Sequence, residues 1–235
     1  MTWGSGWSYT PAVRTVTQLV SVSKRYRRGA EVVSALREVS FALAESEMVA
    51  LVGPSGCGKS TTLNLIAGVD RPDEGRVIVC GTDLSSASEA ALVRARRHHI
   101  GVVFQAFHLM PHLTVAENVA LPLALDGERD GTRVEELLER VGLADRADHF
   151  PGELSGGEQQ RTAVARALVH RPAIVLADEP TGSLDSASGA AVLQLMDELR
   201  RSEGSALLLA THDASLATLA DRVIRLRDGI IEAVL

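Results

Sequence analysis

The pattern Gly53-Pro54-Ser55-Gly56-Cys57-Gly58-Lys59-Ser60 has the residue types and spacing of a phosphate cradle. Glycines let the backbone curl so that several N–H groups point inward at an anion. A helix starting at Lys59 would add its positive end. Lys59 supplies a mobile charge to the outer phosphates and Ser60 a hydroxyl to a divalent cation, while Thr61 and Thr62 are expected to lie against the inner phosphates. Cys57 inside the loop reads as a small tolerated side chain, and a thiol alkylator there should block nucleotide.

A second group sits on Ile174-Val175-Leu176-Ala177-Asp178-Glu179, an apolar run ending in two acids. Ligands of open α/β sheets gather at the carboxyl ends of strands, which brings both acids to the phosphate loop. Adjacent strand residues face opposite ways, so the acids should differ in role. Asp178 suits the hydration shell of Mg²⁺, and Glu179 suits a water that attacks the terminal phosphate. His212 follows the run Ala206–Ala210 and can reach that phosphate or water. Gln105 closes the run Ile100–Phe104 and can reach metal or water.

The elements that must position these residues follow from patterning. Met48–Val52, Ile100–Phe104, Ala173–Ala177 and Ala206–Ala210 are short apolar runs, as expected for strands covered on both faces. Helical patterns separate them, which implies a parallel sheet with helical crossovers. Lys59–Ala67 is expected to be a helix with Leu63, Ile66 and Ala67 on one side. Val16–Phe41 carries strand-like alternation, and Val223–Val234 reads as a hairpin about Asp228-Gly229. Residues from about 106 to 160 read as a mostly helical insertion, with Ser/Thr-x-x-Glu starts at Thr114/Glu117 and Thr132/Glu135.

Leu154-Ser155-Gly156-Gly157-Glu158-Gln159 is a third chemical feature. Ser155 and Glu158 form a capping box for a helix expected to reach about His170. Gly156 and Gly157 leave its first turn bare, so amides and the Ser155 hydroxyl would be open to an anion. This second phosphate-binding end has no loop of its own nearby in sequence.

With these motifs in this order, the chain resembles the ATP-binding-cassette (ABC) ATPases from about residue 16 onward. The resemblance implies a P-loop α/β core with a mostly parallel sheet, an antiparallel β subdomain and a helical signature subdomain. It implies ATP and Mg²⁺ as ligands and ATP hydrolysis as the activity. Tyr26 would stack on adenine; the alternative for its basic setting (Lys24-Arg25-Tyr26-Arg27-Arg28) is a solvated turn. Glu179 would be the catalytic carboxylate, assisted by His212 and Gln105; Ser60, Asp178 and Gln105 would hold Mg²⁺, in part through water. In that family two domains pack head to tail, and the signature (Ser155, Gly156, Gly157, Glu158) of one caps the γ-phosphate in the loop of the other. Asp185 would couple the two sites.

A finer resemblance, through Ile100–Pro111, Glu117–Leu123 and Ala177–Asp185, is to the branch serving lipoprotein release, macrolide efflux and antimicrobial-peptide export. It implies a separate integral membrane permease as partner. Phe107, Leu109 and Met110 would then either receive a segment of that permease or belong to the core of the helical subdomain. An importer ATPase, or an ATPase regulating a membrane-bound division or signalling complex, shares the same cassette.

Bulk properties agree with this class. The 235 residues suffice for one sizeable core, with residues 1–15 as a loose leader and 16–235 as the ATPase domain. A net charge of −6 offers nucleic acid no general attraction. DNA-repair cassettes carry a long coiled coil between the halves of the nucleotide site; here about 95 residues without heptads separate Lys59 from Leu154. Two cysteines make no disulfide framework, and no run is long enough to span a bilayer. The expected location is the cytoplasm, peripheral on the inner face of the membrane through the permease.

Overall fold

In a computed structural model that describes residues 14–29, 31–213 and 216–235, the apolar runs become strands of a single six-stranded sheet. These are β3 (Met48–Val52), β6 (Ile100–Phe104), β7 (Ile174–Asp178) and β8 (Ala206–Thr211), joined by the C-terminal strands β9 (Arg222–Arg227) and β10 (Ile230–Val234). The order is β10-β9-β3-β8-β7-β6, parallel except for β10 at one edge. Alternate residues feed different cores: Ile174 and Leu176 enter one, Val175 and Ala177 the other. That two-sided burial explains why these strands are continuous apolar runs and not alternating ones. Leu207, Leu208 and Leu209 are fully buried, each stabilising the sheet by about 1.5–3 kcal/mol.

The first core holds helix α1 (Lys59–Ile66), whose Leu63 and Ile66 pack under the sheet with the C-cap Ala67. It is closed by an antiparallel sheet of order β2-β1-β4-β5: β1 (Thr15–Arg28), β2 (Glu31–Ala44), β4 (Glu74–Val79) and β5 (Thr82–Asp83). Tyr26 lies within β1 opposite Val33, in a strand and not a solvated turn.

The second core holds α3 (Val115–Leu125), α4 (Gly131–Arg140), α5 (Gly156–Leu168) and α6 (Ser186–Glu203). Thr114 and Glu117 form the expected capping box. Thr132 does not cap α4: Asp130, two residues earlier, accepts the Arg133 amide at 2.9 Å and starts the helix at Gly131. α5 starts at Ser155 as expected and ends at Leu168, short of His170. A further helix, α2 (Glu89–His99), is capped by Ser88 and precedes β6. Asp228 and Gly229 turn the β9–β10 hairpin with φ of 49° and 76°, the pair of positive values that a two-residue turn matching strand twist requires.

Register does the positioning. Phe104 pairs with Asp178, Asp178 with Ala210, and Thr211 with Val52. The next residues along the chain (Gln105, Glu179, His212 and Gly53) therefore emerge in a row along one edge of the sheet. No helix among the described residues is long and apolar enough to cross a membrane. Residues 1–13 of the expected leader lie outside the described residues.

Candidate functional site

At that edge a cleft of about 560 Å³ is lined by Ser55, Gly56, Gly58, Lys59, Ser60, Thr61, Gln105, Glu179, Gly182 and His212, with Ala35 reaching in from β2. The loop between β3 and α1 wraps tightly. A Cβ on Gly53 would lie 2.1 Å from the Leu226 carbonyl oxygen and 2.7 Å from Cys57 Sγ. Gly58 has φ 111°, and a Cβ there would meet the Ala35 carbonyl at 2.5 Å. Only glycine fits either place.

Lys59 is buried, and its ammonium donates to the loop's own Gly53 and Pro54 carbonyls at 2.8 and 3.3 Å. Glu179 Oε1 is 3.9 Å away. Its other oxygen meets His212 Nδ1 at 2.6 Å. Glu179 itself has φ 47°, an unfavourable backbone state for a non-glycine residue, and its amide is held by the Ala210 carbonyl at 2.9 Å. Gln105 lies across Gly182, where a Cβ would come within 2.7 Å of Nε2, and the Ser183 hydroxyl donates to its carbonyl at 2.9 Å.

Asp178 sits behind Ser60. Burial pushes its carboxyl above the usual range and Glu179 adds to this, against the pull of the Ser60 hydroxyl and Lys59. Its Oδ1 is buried with no hydrogen-bond partner. An orphaned carboxylate oxygen beside a serine hydroxyl is an all-oxygen donor set suited to a hard divalent cation.

Several expected residues are placed differently. Thr62 is fully buried and its hydroxyl donates to the Gly58 carbonyl at 3.0 Å, so its side chain does not face the cleft. Cys57 is 3% exposed and packs into the first core. Alkylation of the folded chain should be slow, in place of the inactivation expected from the sequence. Tyr26 stands beside the cleft, near Thr61, and its hydroxyl donates to Asp70 Oδ2 at 2.8 Å. Asp185 is the N-cap of α6, accepting the Ala187 and Ser188 amides at 3.1 and 3.0 Å, bonds that hold its carboxyl below the usual range.

None of Ser155, Gly156, Gly157 or Glu158 lines this cleft. The start of α5 faces outward with Ser155 exposed, and the first intrahelical bond is Gln159 N–H to the Ser155 carbonyl at 2.9 Å. The Gly156 and Gly157 amides precede it. The Ser155 hydroxyl, expected to be open, donates to Glu158 Oε2 at 2.6 Å. This bond and the Ser155 amide lower the Glu158 pKa.

A second concavity of about 450 Å³ lies between α2, β6, α3 and α5, its apolar wall built from Phe104, Leu121, Pro122 and Leu125. Phe107, Leu109 and Met110 neither line it nor join the buried core; Phe107 and Leu109 are half-buried and Met110 is 46% exposed. Phe107 and His108 have positive φ, and their carbonyls both accept from Arg166 of α5, at 2.8 and 2.6 Å.

Sequence reasoning missed Ala35, Arg166 and the contact role of Gly182. Gly182 was visible as a glycine four residues beyond the end of β7. Nothing local marks Ala35, and Arg166 looks like any helix arginine until the chain folds it onto Phe107.

Comparison with known proteins agrees with this geometry. A model of the ABC transporter family matches residues 36–182. Two solved structures of the ATP-binding cassette MJ0796 are each 41% identical to this chain, cover 93% of it and 97% of their own chain, and superpose with a TM-score of 0.86. One is a dimeric post-hydrolysis state bound to ADP and Pi, the other a dimeric bacterial ABC transporter cassette. A phosphate loop, two acids and a signature helix on this fold, with these relatives, place the chain in the ABC transporter family as an ATP-binding ATPase cassette.

Proposed function

We propose that two copies of this chain close head to tail around two MgATP, hydrolyse them at composite sites, and so drive a separate integral membrane permease of the efflux or lipoprotein-release type. One observation carries this reading. The nucleotide cleft contains the loop, Gln105, Glu179 and His212 but no signature residue, while the signature turn faces outward with the Gly156 and Gly157 amides ahead of the first intrahelical bond. A partner turned head to tail supplies the missing anion-binding end.

In this reading Tyr26 stacks on adenine. Amides of Ser55, Gly56, Gly58, Lys59, Ser60 and Thr61 cradle the phosphates, since those of Cys57 and Thr62 donate to the Pro54 and Gly58 carbonyls, and Lys59 exchanges its two carbonyl partners for phosphate oxygens. Ser60 and Gln105, with Asp178 through water, would hold a Mg²⁺, which when bound would supply charge neutralisation for the terminal phosphates. Glu179, oriented by His212, positions the attacking water and takes its proton. His212 also reaches the γ-phosphate. Ser155 turns from Glu158 to the phosphate bound by the partner, and Asp185 couples the two sites. The concavity beside β6 receives the permease segment, so that Gln105 senses its movement. Attachment to the inner membrane face follows from that contact.

The test is ATPase rate against protein concentration. The rate per protomer is expected to rise with concentration in the dilute range. A constant rate where light scattering finds only monomer contradicts the composite site.

Asp178 gives a second prediction. Its folded pKa is raised, so its ionised form subtracts from stability above the unfolded carboxylate range, and that loss disappears as pH falls through the folded pKa. Asp178→Asn is therefore expected to melt higher than the parent at neutral pH in chelator, yet to lose the Mg²⁺-dependent part of nucleotide stabilisation. A lower melting temperature in chelator would reject the claim that Asp178 carries an uncompensated buried charge.

A further inference from the structure

We propose that Asp70 is a positioning residue for the nucleotide base: it fixes the Tyr26 ring and ties it to the far end of the phosphate-loop helix. The proposal rests on Tyr26 as the base platform. Tyr26 belongs to the antiparallel sheet, whereas the phosphates are held at the start of α1 in the core. Asp70 lies just beyond the end of α1, where the Val69 and Asp70 amides both donate to the Asn64 carbonyl, at 3.0 and 3.3 Å. Its Oδ2 accepts the Tyr26 hydroxyl at 2.8 Å, and its Oδ1 accepts Lys24 Nζ at 2.7 Å. Lys24 is 9% exposed, and its ammonium also donates to the Arg71 carbonyl at 2.7 Å. One carboxylate thus joins β1 to α1 through two side chains.

The same arrangement chooses the face of the ring. Lys24 Nζ stands over Tyr26, 5.2 Å from the ring centroid, which assigns the base to the opposite side. The tether is firmly ionised. Burial alone would raise the Asp70 pKa, but hydrogen bonds from Lys24, Tyr26 and the Arg71 amide hold it below the usual range. With its hydroxyl anchored, the ring has little freedom left to lose when a base stacks on it, and restricting that freedom beforehand strengthens binding.

Calorimetry without metal, using ATP and inorganic tripolyphosphate as separate probes, tests this. Tyr26→Phe keeps the stacking face and removes only the tether; it is expected to weaken ATP by roughly 3- to 10-fold. Asp70→Ala should do the same, and the double variant should be no weaker than either single one. Tripolyphosphate affinity should not change in any of them. Tyr26→Ala should weaken ATP further, by about 10- to 100-fold. If Asp70→Ala does not fold, Tyr26→Phe and Asp70→Asn carry the test, because they leave Lys24 its partner or an isosteric amide. Additive effects, parallel loss of tripolyphosphate, or full ATP affinity in Tyr26→Phe would overturn the role of Asp70 alone. Full ATP affinity in Tyr26→Ala would overturn the base platform itself.

Discussion

Glu179→Gln is expected to bind ATP as the parent does and to lose turnover by about 10²- to 10⁴-fold, the usual worth of a positioned general base. The amide has the size of the carboxylate and can still meet His212, which stands 2.6 Å from Glu179 Oε2. It cannot take a proton from water. It also removes a negative charge from a wall of the cleft where the γ-phosphate is proposed to sit, and that charge opposes closure while ATP is intact. The variant should therefore accumulate as a dimer in ATP, seen by light scattering, with single-turnover hydrolysis slowed by the same factor. Turnover equal to the parent would remove Glu179 from this role.

Lys59→Ala should act on binding before chemistry. The ammonium is buried and already placed by two loop carbonyls, so little ordering remains when phosphate replaces them. Charge-assisted hydrogen bonds contribute about 1.5–3 kcal/mol each, which corresponds to roughly 10- to 150-fold in ATP affinity. Adenosine, which offers no phosphate, should bind both proteins equally in titration. An ATP affinity that survives the substitution would mean that the loop amides alone hold the triphosphate.

Both predictions concern residues expected from the sequence to meet, and Lys59 and Glu179 do lie 3.9 Å apart, for a physical reason. Apolar runs such as Ile174–Ala177 have only one use in a chain this size, and strand polarity fixes which end carries the ligand. The Thr114 and Ser155 caps were equally readable, because a capping box is contained within four residues. Thr132 failed for a local reason. Asp130 is the stronger cap and starts the helix two residues earlier, so Thr132 already lies inside its first turn.

What the sequence did not reveal depends on distant contacts. Asp70 and Tyr26 are 44 positions apart and meet only because the fold brings the end of β1 beside the chain just past α1. The inward turn of the Thr62 hydroxyl follows from its 0% exposure in the folded helix, not from its neighbours in sequence. The antiparallel sheet was legible only in outline. β1 and β2 each run for 14 residues with register shifts that break the simple alternation. Phe107, Leu109 and Met110, expected either to receive a permease segment or to join the helical core, stay partly exposed and do not line the concavity that β6 and α3 build.

The most direct examination of the composite site mixes two disabled proteins. Lys59→Ala abolishes the loop of one and Ser155→Arg blocks the signature of the other. Each alone is expected to be nearly inactive. A mixed dimer regains one intact pocket, with the loop of the Ser155→Arg chain facing the signature of the Lys59→Ala chain. Mixing should therefore restore ATPase activity to roughly a quarter of the parent rate, half the dimers being mixed and each carrying one of two sites. Full activity in Ser155→Arg alone, with no gain on mixing, would show that a single protomer holds the terminal phosphate by itself.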